Sequence, residues 1–478
     1  MDPILIVLAG IAVVLFAIIV LRLHAFVALL LAALVTGLLT SELHIFEFAV
    51  QKGLSEGEAR AMAGQAIGKR LALAFGNTAG KIGILIALAS IIGVSLMRSG
   101  GAERIIRGLL KLSGKKNTSF AFLSGSFTLA IPVFFDTVFY LMIPLVKSIS
   151  IRQPKKFSLY LMTIIAGGVM AHSLIPPTPG PLFVAEELGI DLGIMIVGGL
   201  VIGAITVLSG YAYALWANKK WELPMCDTPD ISTEELRSLS EQEPAVLPSI
   251  WISLLPIVLP ILLITGNTFL NMTLGKQGDT LEPFQQSLLS VFSVLGESNM
   301  ALLIAALIAM YLLWTRIRDV ALFKKYLSDS IMSAGLIILI TSAGGAFGQM
   351  LQQTNIGARV GVLADTYQMA ILPLAFFITA VVRTAQGSAT VAMVTAIGVM
   401  SAFSEASGLA FHPVYLALVI GCGSKVFAWM NDSAFWIITQ MSGMKEKETI
   451  RFFSFLLLVM AFAGLISIMI LAWLFPFV

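Results

Sequence analysis

The stretch that decides the fold is SGSFTLAIPVFFDTVFYLMIPL, at residues 124–145. A basic loop follows it, and then comes MAHSLIPPTPGP at 170–181. A similar arrangement recurs in the second half, as VRTAQGSATVAM at 382–393 and SKVFAWMNDSAFWI at 424–437. In both halves, polar and ionisable residues, glycines and prolines interrupt otherwise apolar runs. Such interruptions are typical of a site placed near the middle of a lipid bilayer.

Composition restricts the class of protein. Of the 478 residues, 58% are hydrophobic and only 12% are charged, and the mean hydropathy is +0.93. Apolar segments of about 20 residues recur, which is enough to cross a bilayer as a helix. We therefore predict an all-α polytopic membrane protein. The net charge of +3 gives no reason to expect nucleic acid as a partner, and two distant cysteines, Cys226 and Cys422, do not predict a disulfide framework.

Basic loops flank the first interrupted segment on both sides. Six Lys/Arg residues lie within 98–116 and four within 147–156. Because basic loops mark the cytoplasmic side, we predict that the segment enters and leaves on one side, as a re-entrant hairpin at about 118–146. Irregular backbone at that depth is tolerated only where it is buried in protein or lines a wet cavity.

The following span breaks at PPTPGP, residues 176–181, since no helix continues through four prolines in six residues. A shift of 255 residues lays this break on Asn431-Asp432 and the first hairpin tip on Gln386-Gly387. The chain is thus predicted to contain two repeats. Their predicted parts are a first repeat at 1–221 (hairpin about 118–146, broken helix about 157–190), a cytoplasmic linker at 222–248, and a second repeat at 249–478 (hairpin about 371–400, broken helix about 413–440).

The positive charges predict how the repeats lie in the membrane. One orientation leaves 20 Lys/Arg residues in cytoplasmic loops and seven outside. It has ten crossings and two hairpins, with both termini outside, and the two halves are inverted. The mixed stretches 42–80 and 319–329 are predicted to lie at the membrane interface. Inverted repeats with discontinuous helices are typical of secondary transporters that work by alternating access.

Two acidic residues lie at the predicted breaks, and an ionised carboxylate at bilayer depth needs a partner, water or a proton. Asp136 and Asp432 are therefore candidate proton carriers. The structural alternative for either side chain is to cap a half-helix. His172 is a third candidate for proton transfer, or a hydrogen-bonded packing residue. Lys425 lies seven residues before Asp432 and is predicted to be its ion partner.

Arg383 precedes the second predicted hairpin tip. Its guanidinium is suited either to bind the carboxylate of a substrate or to form an internal ion pair with an aspartate. Glycine there permits close approach of the backbone, hydroxyl and amide groups bind polar ligands, and half-helix N-termini attract anions. No cofactor and no metal site is predicted. The predicted substrate-binding residues are Asp136, Thr137, Thr178, Arg383, Gln386, Gly387, Ser388, Thr390, Asn431, Asp432 and Ser433.

Several motifs make the chain resemble the gluconate:proton symporter (GntP) family, within the ion transporter superfamily. The motifs are GNTAG at 76–80, SGGAERI at 99–105, IPVFFDTVFYLMIPL at 131–145, AHSLIPPTPGPL at 171–182, AQGSATVAM at 385–393 and NDSAFW at 431–436. The resemblance implies proton-coupled uptake of gluconate or related carboxylates across the bacterial inner membrane. It also implies paired hairpins and broken helices in a moving transport domain, with a scaffold that often forms a homodimer.

Three positions differ from the pattern of gluconate-type members, which carry Glu at position 136, His at 178 and Gly at 434, where this chain has Asp136, Thr178 and Ala434. Because these positions lie at the predicted site, the ligand stays open among gluconate, a smaller hydroxy acid such as glycerate or hydroxybutyrate, and D-serine. Coupling to Na⁺, or exchange, is the alternative within transport. A membrane-embedded enzyme is disfavoured, because the four histidines are scattered.

Overall fold

The structure, a computed structural model, describes residues 2–114, 117–151, 153–225, 247–274, 282–355, 368–406 and 409–477. Within these ranges all regular structure is helical. Most of the predicted linker at 222–248, including Cys226, lies outside the described residues. The α-helices are α1 Pro3–Leu15, α2 Ala25–Leu39, α3 Glu42–Gln51, α4 Glu56–Ala63, α5 Ile67–Arg98, α6 Gly101–Ser113, α7 Thr118–Leu129, α8 Phe135–Ser150, α9 Phe157–Leu174, α10 Pro179–Glu187, α11 Leu192–Lys220, α12 Ile250–Thr273, α13 Pro283–Leu295, α14 Ser298–Ile317, α15 Val320–Gln352, α16 Ile371–Gln386, α17 Ala389–Ala406, α18 Val414–Gly423, α19 Ser433–Ser442, α20 Glu446–Thr449 and α21 Phe455–Leu474.

Seven helical segments in the described part of the chain are long and apolar enough to cross a membrane. They are α5, the α9–α10 pair, α11, α12, α14, α15 and the stretch that ends with α21. An eighth results if α2 and α3, which meet at a bend of 99°, count as one span. The all-α polytopic fold is therefore confirmed. The ten predicted crossings remain a prediction, because α1 and α18 are shorter apolar helices.

Helices α5 and α15 include parts of the two stretches that were predicted to lie at the membrane interface. Residues 67–80 belong to the 32-residue α5, and residues 320–329 begin the 33-residue α15. At 1.5 Å per residue each helix is about 48 Å long, more than the ~30 Å hydrocarbon core. The charged ends can therefore lie at the interface although the helix itself continues through the membrane. Only α3 and α4 are separate short helices within 42–80.

The two long helices form a scaffold together with α2 and α14, which pack against α5. Arg70, near the start of α5, is buried and joins three of these helices. Its Nη1 donates to Gln353 Oε1 at 2.8 Å, and its Nη2 donates to the Gly37 main-chain oxygen at 3.4 Å. Both acceptors lie at helix C-termini, where a cation is favoured by the helix dipole.

Four breaks interrupt the helices that pack on this scaffold. In the first half, residues 130–134 separate α7 from α8, and residues 175–178 separate α9 from α10. In the second half, Gly387 and Ser388 separate α16 from α17, and residues 424–432 separate α18 from α19. Every residue of α18 is buried, and α9 is buried except at His172. The discontinuous helices α9 and α18 thus lie in the interior of the bundle.

The helix boundaries of the two halves correspond under the same 255-residue shift. Shifted in this way, α5 covers 322–353, whereas α15 occupies Val320–Gln352. Likewise, shifted α10 covers 434–442, whereas α19 occupies Ser433–Ser442. The halves also interlock, because α10 packs against α17 and α8 against α19. These matches support our proposal of two repeats. Their inversion across the membrane remains a prediction.

Candidate functional site

The tip between α16 and α17 is hydrogen-bonded to the break between α18 and α19. Gly387 has a φ of +88°, a left-handed conformation that glycine adopts without strain. The main-chain oxygen of Thr384 accepts hydrogen bonds from Trp429 Nε1 at 2.9 Å and from Asn431 Nδ2 at 2.8 Å. Two segments of irregular backbone therefore satisfy one another's polar groups inside the bundle.

An ion pair crosses the same junction. The guanidinium of Arg383, in the last turn of α16, binds the carboxylate of Asp432. The other Asp432 oxygen accepts a hydrogen bond from the Ala434 main-chain nitrogen at 2.9 Å, so Asp432 also caps the N-terminus of α19. Both side chains are at least nine-tenths buried. Both structural alternatives named for these residues, an internal pair and a cap, are therefore present in one arrangement.

The break between α18 and α19 has an unusual backbone. Phe427 has a φ of +44°, which is uncommon for a residue other than glycine. Ser454, in a π-helical turn before α21, donates a hydrogen bond to the Ala428 main-chain oxygen. The turn at Phe427 redirects the chain between Lys425 and Asp432. The two residues therefore do not form the predicted ion pair, and Asp432 is paired with Arg383 instead.

The first half contributes residues from its own breaks. Asp136 lies in the first turn of α8, directly after the hairpin tip. His172 lies in the last turn of α9, and its ring packs edge-on against Phe134 with a centroid distance of 5.7 Å. The prolines of PPTPGP do not reach the same place. Pro176 and Pro177 line a separate, apolar crevice against α11 and α12.

These parts surround one polar cavity of about 390 Å³, bounded on one side by Ile337 and Ile340 of the long helix α15. It holds two cations, two carboxylates and one histidine. Of the predicted site residues, those lining it are Asp136, His172, Arg383, Gln386, Gly387, Ser388, Thr390, Asn431, Asp432 and Ser433.

Two predicted substrate-binding residues are not among those that line this cavity: Thr137 and Thr178. Thr178 Oγ1 donates to the Ile175 main-chain oxygen at 2.6 Å, within the α9–α10 break. Conversely, Lys425 lines the cavity although it was predicted only as a partner for Asp432. A lysine inside an apolar segment was the signal, since such residues usually face a cavity or pathway.

Several buried polar atoms at the cavity have no hydrogen-bond partner among the described residues. They are Nε and Nη1 of Arg383, Oε1 of Gln386 and Nδ1 of His172. Buried polar atoms are nearly always paired in folded proteins, so a cluster of exceptions needs an explanation. In the described ranges no group of three or more His, Cys, Asp or Glu side chains is arranged to hold a metal ion. Polar side chains with free hydrogen-bonding atoms are suited to bind a polar ligand.

Comparison with known proteins decides the family. A model of GntP family permeases matches residues 2–474. The chain belongs to the GntP permease family. It is 31% identical to an uncharacterized permease of Haemophilus influenzae, over 93% of this chain and 86% of that protein. It is 29% identical to the gluconate permease of Pseudomonas aeruginosa, over 94% and 93% of the two chains.

Solved structures share the fold of this GntP permease. The YdaH transporter of Alcanivorax borkumensis has a TM-score of 0.54, at 12% identity, over 84% of this chain and 88% of its own. MtrF of Neisseria gonorrhoeae has a TM-score of 0.52, at 16% identity, over 84% and 83%. The family and the apolar helices together make this permease a multi-pass membrane transporter of the bacterial inner membrane.

Proposed function

We propose that this permease imports gluconate or a related small hydroxy-carboxylate together with a proton, by alternating access. The observation that carries the proposal is the polar cavity at the junction of the helix breaks. It combines cations for a carboxylate with hydroxyl and amide groups for hydroxyls, and it is large enough for a sugar acid. Relatives named gluconate permease support this substrate class.

The net charge of the residues at the cavity supports co-transport of a proton with the substrate. The four ionisable residues at the cavity, other than the histidine, are Asp136, Arg383, Lys425 and Asp432, so the ionised cluster is neutral. A bound carboxylate adds one negative charge, which is costly at bilayer depth unless it is neutralised. One proton entering with the anion restores neutrality. Asp136 is the carboxylate we assign to carry it, because Asp432 is already paired with Arg383.

Alternating access is supported by where the cavity lies. Most of the lining residues lie at or near the helix breaks, whereas the scaffold helix α15 contributes an apolar wall made of Ile337 and Ile340. An apolar wall makes no directional bonds, so the unit that holds the ligand can slide along it. We infer that the interlocked breaks move as one transport unit against α5 and α15, and carry the ligand between the two sides.

Proton movement in proteoliposomes tests the proposal. The purified protein is challenged in turn with D-gluconate, D-glycerate, 3-hydroxybutyrate and D-serine, with and without Na⁺, while a dye reports internal pH. We expect one of the hydroxy acids to drive proton influx in the absence of Na⁺. A response that requires Na⁺, or a response to D-serine alone, would replace the proposal with the sodium-coupled or amino-acid alternative.

A further inference from the structure

We propose that Lys425 is the residue that binds the carboxylate of the substrate. The inference rests on the proposed function, that is, on a small carboxylate being the ligand. Two cations line the cavity, and their partners differ. Arg383 is paired with Asp432. Lys425 is 95% buried, since only 5% of it is exposed, and no carboxylate of the described residues lies within 4.0 Å of its ammonium group.

Local structure explains how a cation without an ion pair persists there. Lys425 follows directly after the C-cap residue of α18, and its main-chain nitrogen donates to the Cys422 oxygen at 3.0 Å. The C-terminal end of a helix carries a partial negative charge, which favours a nearby cation. The end of α18 thus favours a positive charge at this position. Lys425 is one of the residues that line the cavity.

Arg383 is less suited to the same role. Asp432 already neutralises the charge of Arg383, so a second carboxylate at the unpaired Nε and Nη1 would have no counter-charge of its own. A carboxylate that displaced Asp432 would leave a buried carboxylate without its partner, which is strongly unfavourable. Asp432 would also be disturbed as the cap of α19. We therefore assign Arg383 to positioning: it holds the hairpin tip on the break. Lys425 is assigned to the ligand.

This assignment predicts which acids fit. One unpaired ammonium group neutralises one carboxylate, and its three donors accept that group in several orientations. Ser388, Thr390 and Asn431 also line the cavity, and their hydroxyl and amide groups suit a hydroxylated chain. Monocarboxylates should therefore bind in preference to dicarboxylates such as D-glucarate, and in preference to uncharged analogues such as D-gluconamide.

Isothermal titration calorimetry with the purified full-length protein tests the assignment. The ligands are D-gluconate, D-glycerate, D-glucarate and D-gluconamide. Lys425→Met should weaken gluconate and glycerate binding by about 10- to 100-fold, the usual effect of losing a charge-assisted hydrogen bond. It should also abolish the preference for gluconate over gluconamide. Lys425→Arg should retain that preference. Lys155→Met, at an exposed lysine, is the matched control and should bind as the wild type does.

The outcomes separate this inference from the proposed function. If the wild type binds none of the acids, the proposed carboxylate substrate is wrong and the inference falls with it. If the wild type binds an acid and Lys425→Met binds it equally well, only the Lys425 assignment is overturned. Should Lys425→Met not fold, the double variant Asp136→Asn/Lys425→Met restores a neutral cluster. A preference for gluconate over gluconamide in that variant would also overturn the assignment.

Discussion

Gly387 lies so close to Asn431 that a β-carbon built on the glycine would stand 2.1 Å from the Asn431 main-chain oxygen. The glycine belongs to the tip between α16 and α17, and the asparagine to the break between α18 and α19. Only a residue without a side chain can be accommodated this close to the Asn431 main chain. The site therefore depends on a steric match between two backbone segments as well as on its charges.

We predict that Gly387→Ala abolishes transport. The alanine has to adopt a φ of +88° and at the same time displace the Asn431 oxygen. Left-handed backbone alone costs about 1–3 kcal/mol for such a residue. Substrate uptake and the thermal midpoint of the purified protein should both fall. Gly57→Ala, at a position in α4 with no neighbour within 4 Å, is the control. Normal uptake by Gly387→Ala would mean that the junction is not required.

The two aspartates should respond differently to neutralisation. Asp136→Asn removes the assigned proton acceptor, so a pH gradient should no longer drive accumulation, while exchange of labelled for unlabelled substrate continues. Asp432→Asn leaves Arg383 unpaired, at a cost of about 3–5 kcal/mol, and should abolish both activities. The measurement is labelled uptake with and without a pH gradient. Accumulation by Asp136→Asn at the wild-type level would assign the proton to another group.

The hydrogen bonds of Arg70 lead to a prediction about the stability of the scaffold helices. Arg70→Met leaves Gln353 and the Gly37 main-chain oxygen without their donor, which should lower stability by about 1–3 kcal/mol. The adjacent Lys69 is exposed, so Lys69→Met should change stability by less than about 0.5 kcal/mol. Thermal unfolding in detergent compares the two variants. Equal midpoints would show that Arg70 does not hold the scaffold helices together.

The proposed topology predicts which positions share a side of the membrane. The substitutions Ser113→Cys and Lys155→Cys place one cysteine on each side of the α7–α8 hairpin. Both cysteines should react with a membrane-impermeant thiol reagent from the cytoplasm. A cysteine at the exposed Glu56 of α4 should react from outside. Cys226 and Cys422 are first replaced by alanine. Reaction of Ser113→Cys and Lys155→Cys from opposite sides would convert the hairpin into an ordinary crossing.

The helix breaks were predictable because local chemistry determines them. Prolines at 176–181 cannot continue a helix, and Gly387 occupies a backbone conformation that few other residues adopt. The length of α5 was not predictable in the same way. Lys69 and Arg70 indicate an interface by composition, but a helix that is longer than the membrane carries such residues at its end without stopping.

The ion pairs were not predictable from spacing. Lys425 and Asp432 are seven residues apart, which places two residues on one face only if the helix between them is continuous. The chain instead turns at Phe427, and Asp432 pairs with a residue 49 positions earlier. Thr178 shows the same limitation on a smaller scale. Its hydroxyl bonds to the nearby Ile175 oxygen, a local alternative that residue type alone does not reveal.

The most direct test is to measure which gradient drives the uptake of labelled D-gluconate, D-glycerate and 3-hydroxybutyrate into proteoliposomes. A neutral cluster that takes up one anion with one proton moves no net charge. A pH gradient alone, acid outside, should therefore drive accumulation of the transported acid, and a membrane potential imposed with K⁺ and valinomycin should not. Accumulation driven by the potential alone, or only by a Na⁺ gradient, would contradict electroneutral proton symport.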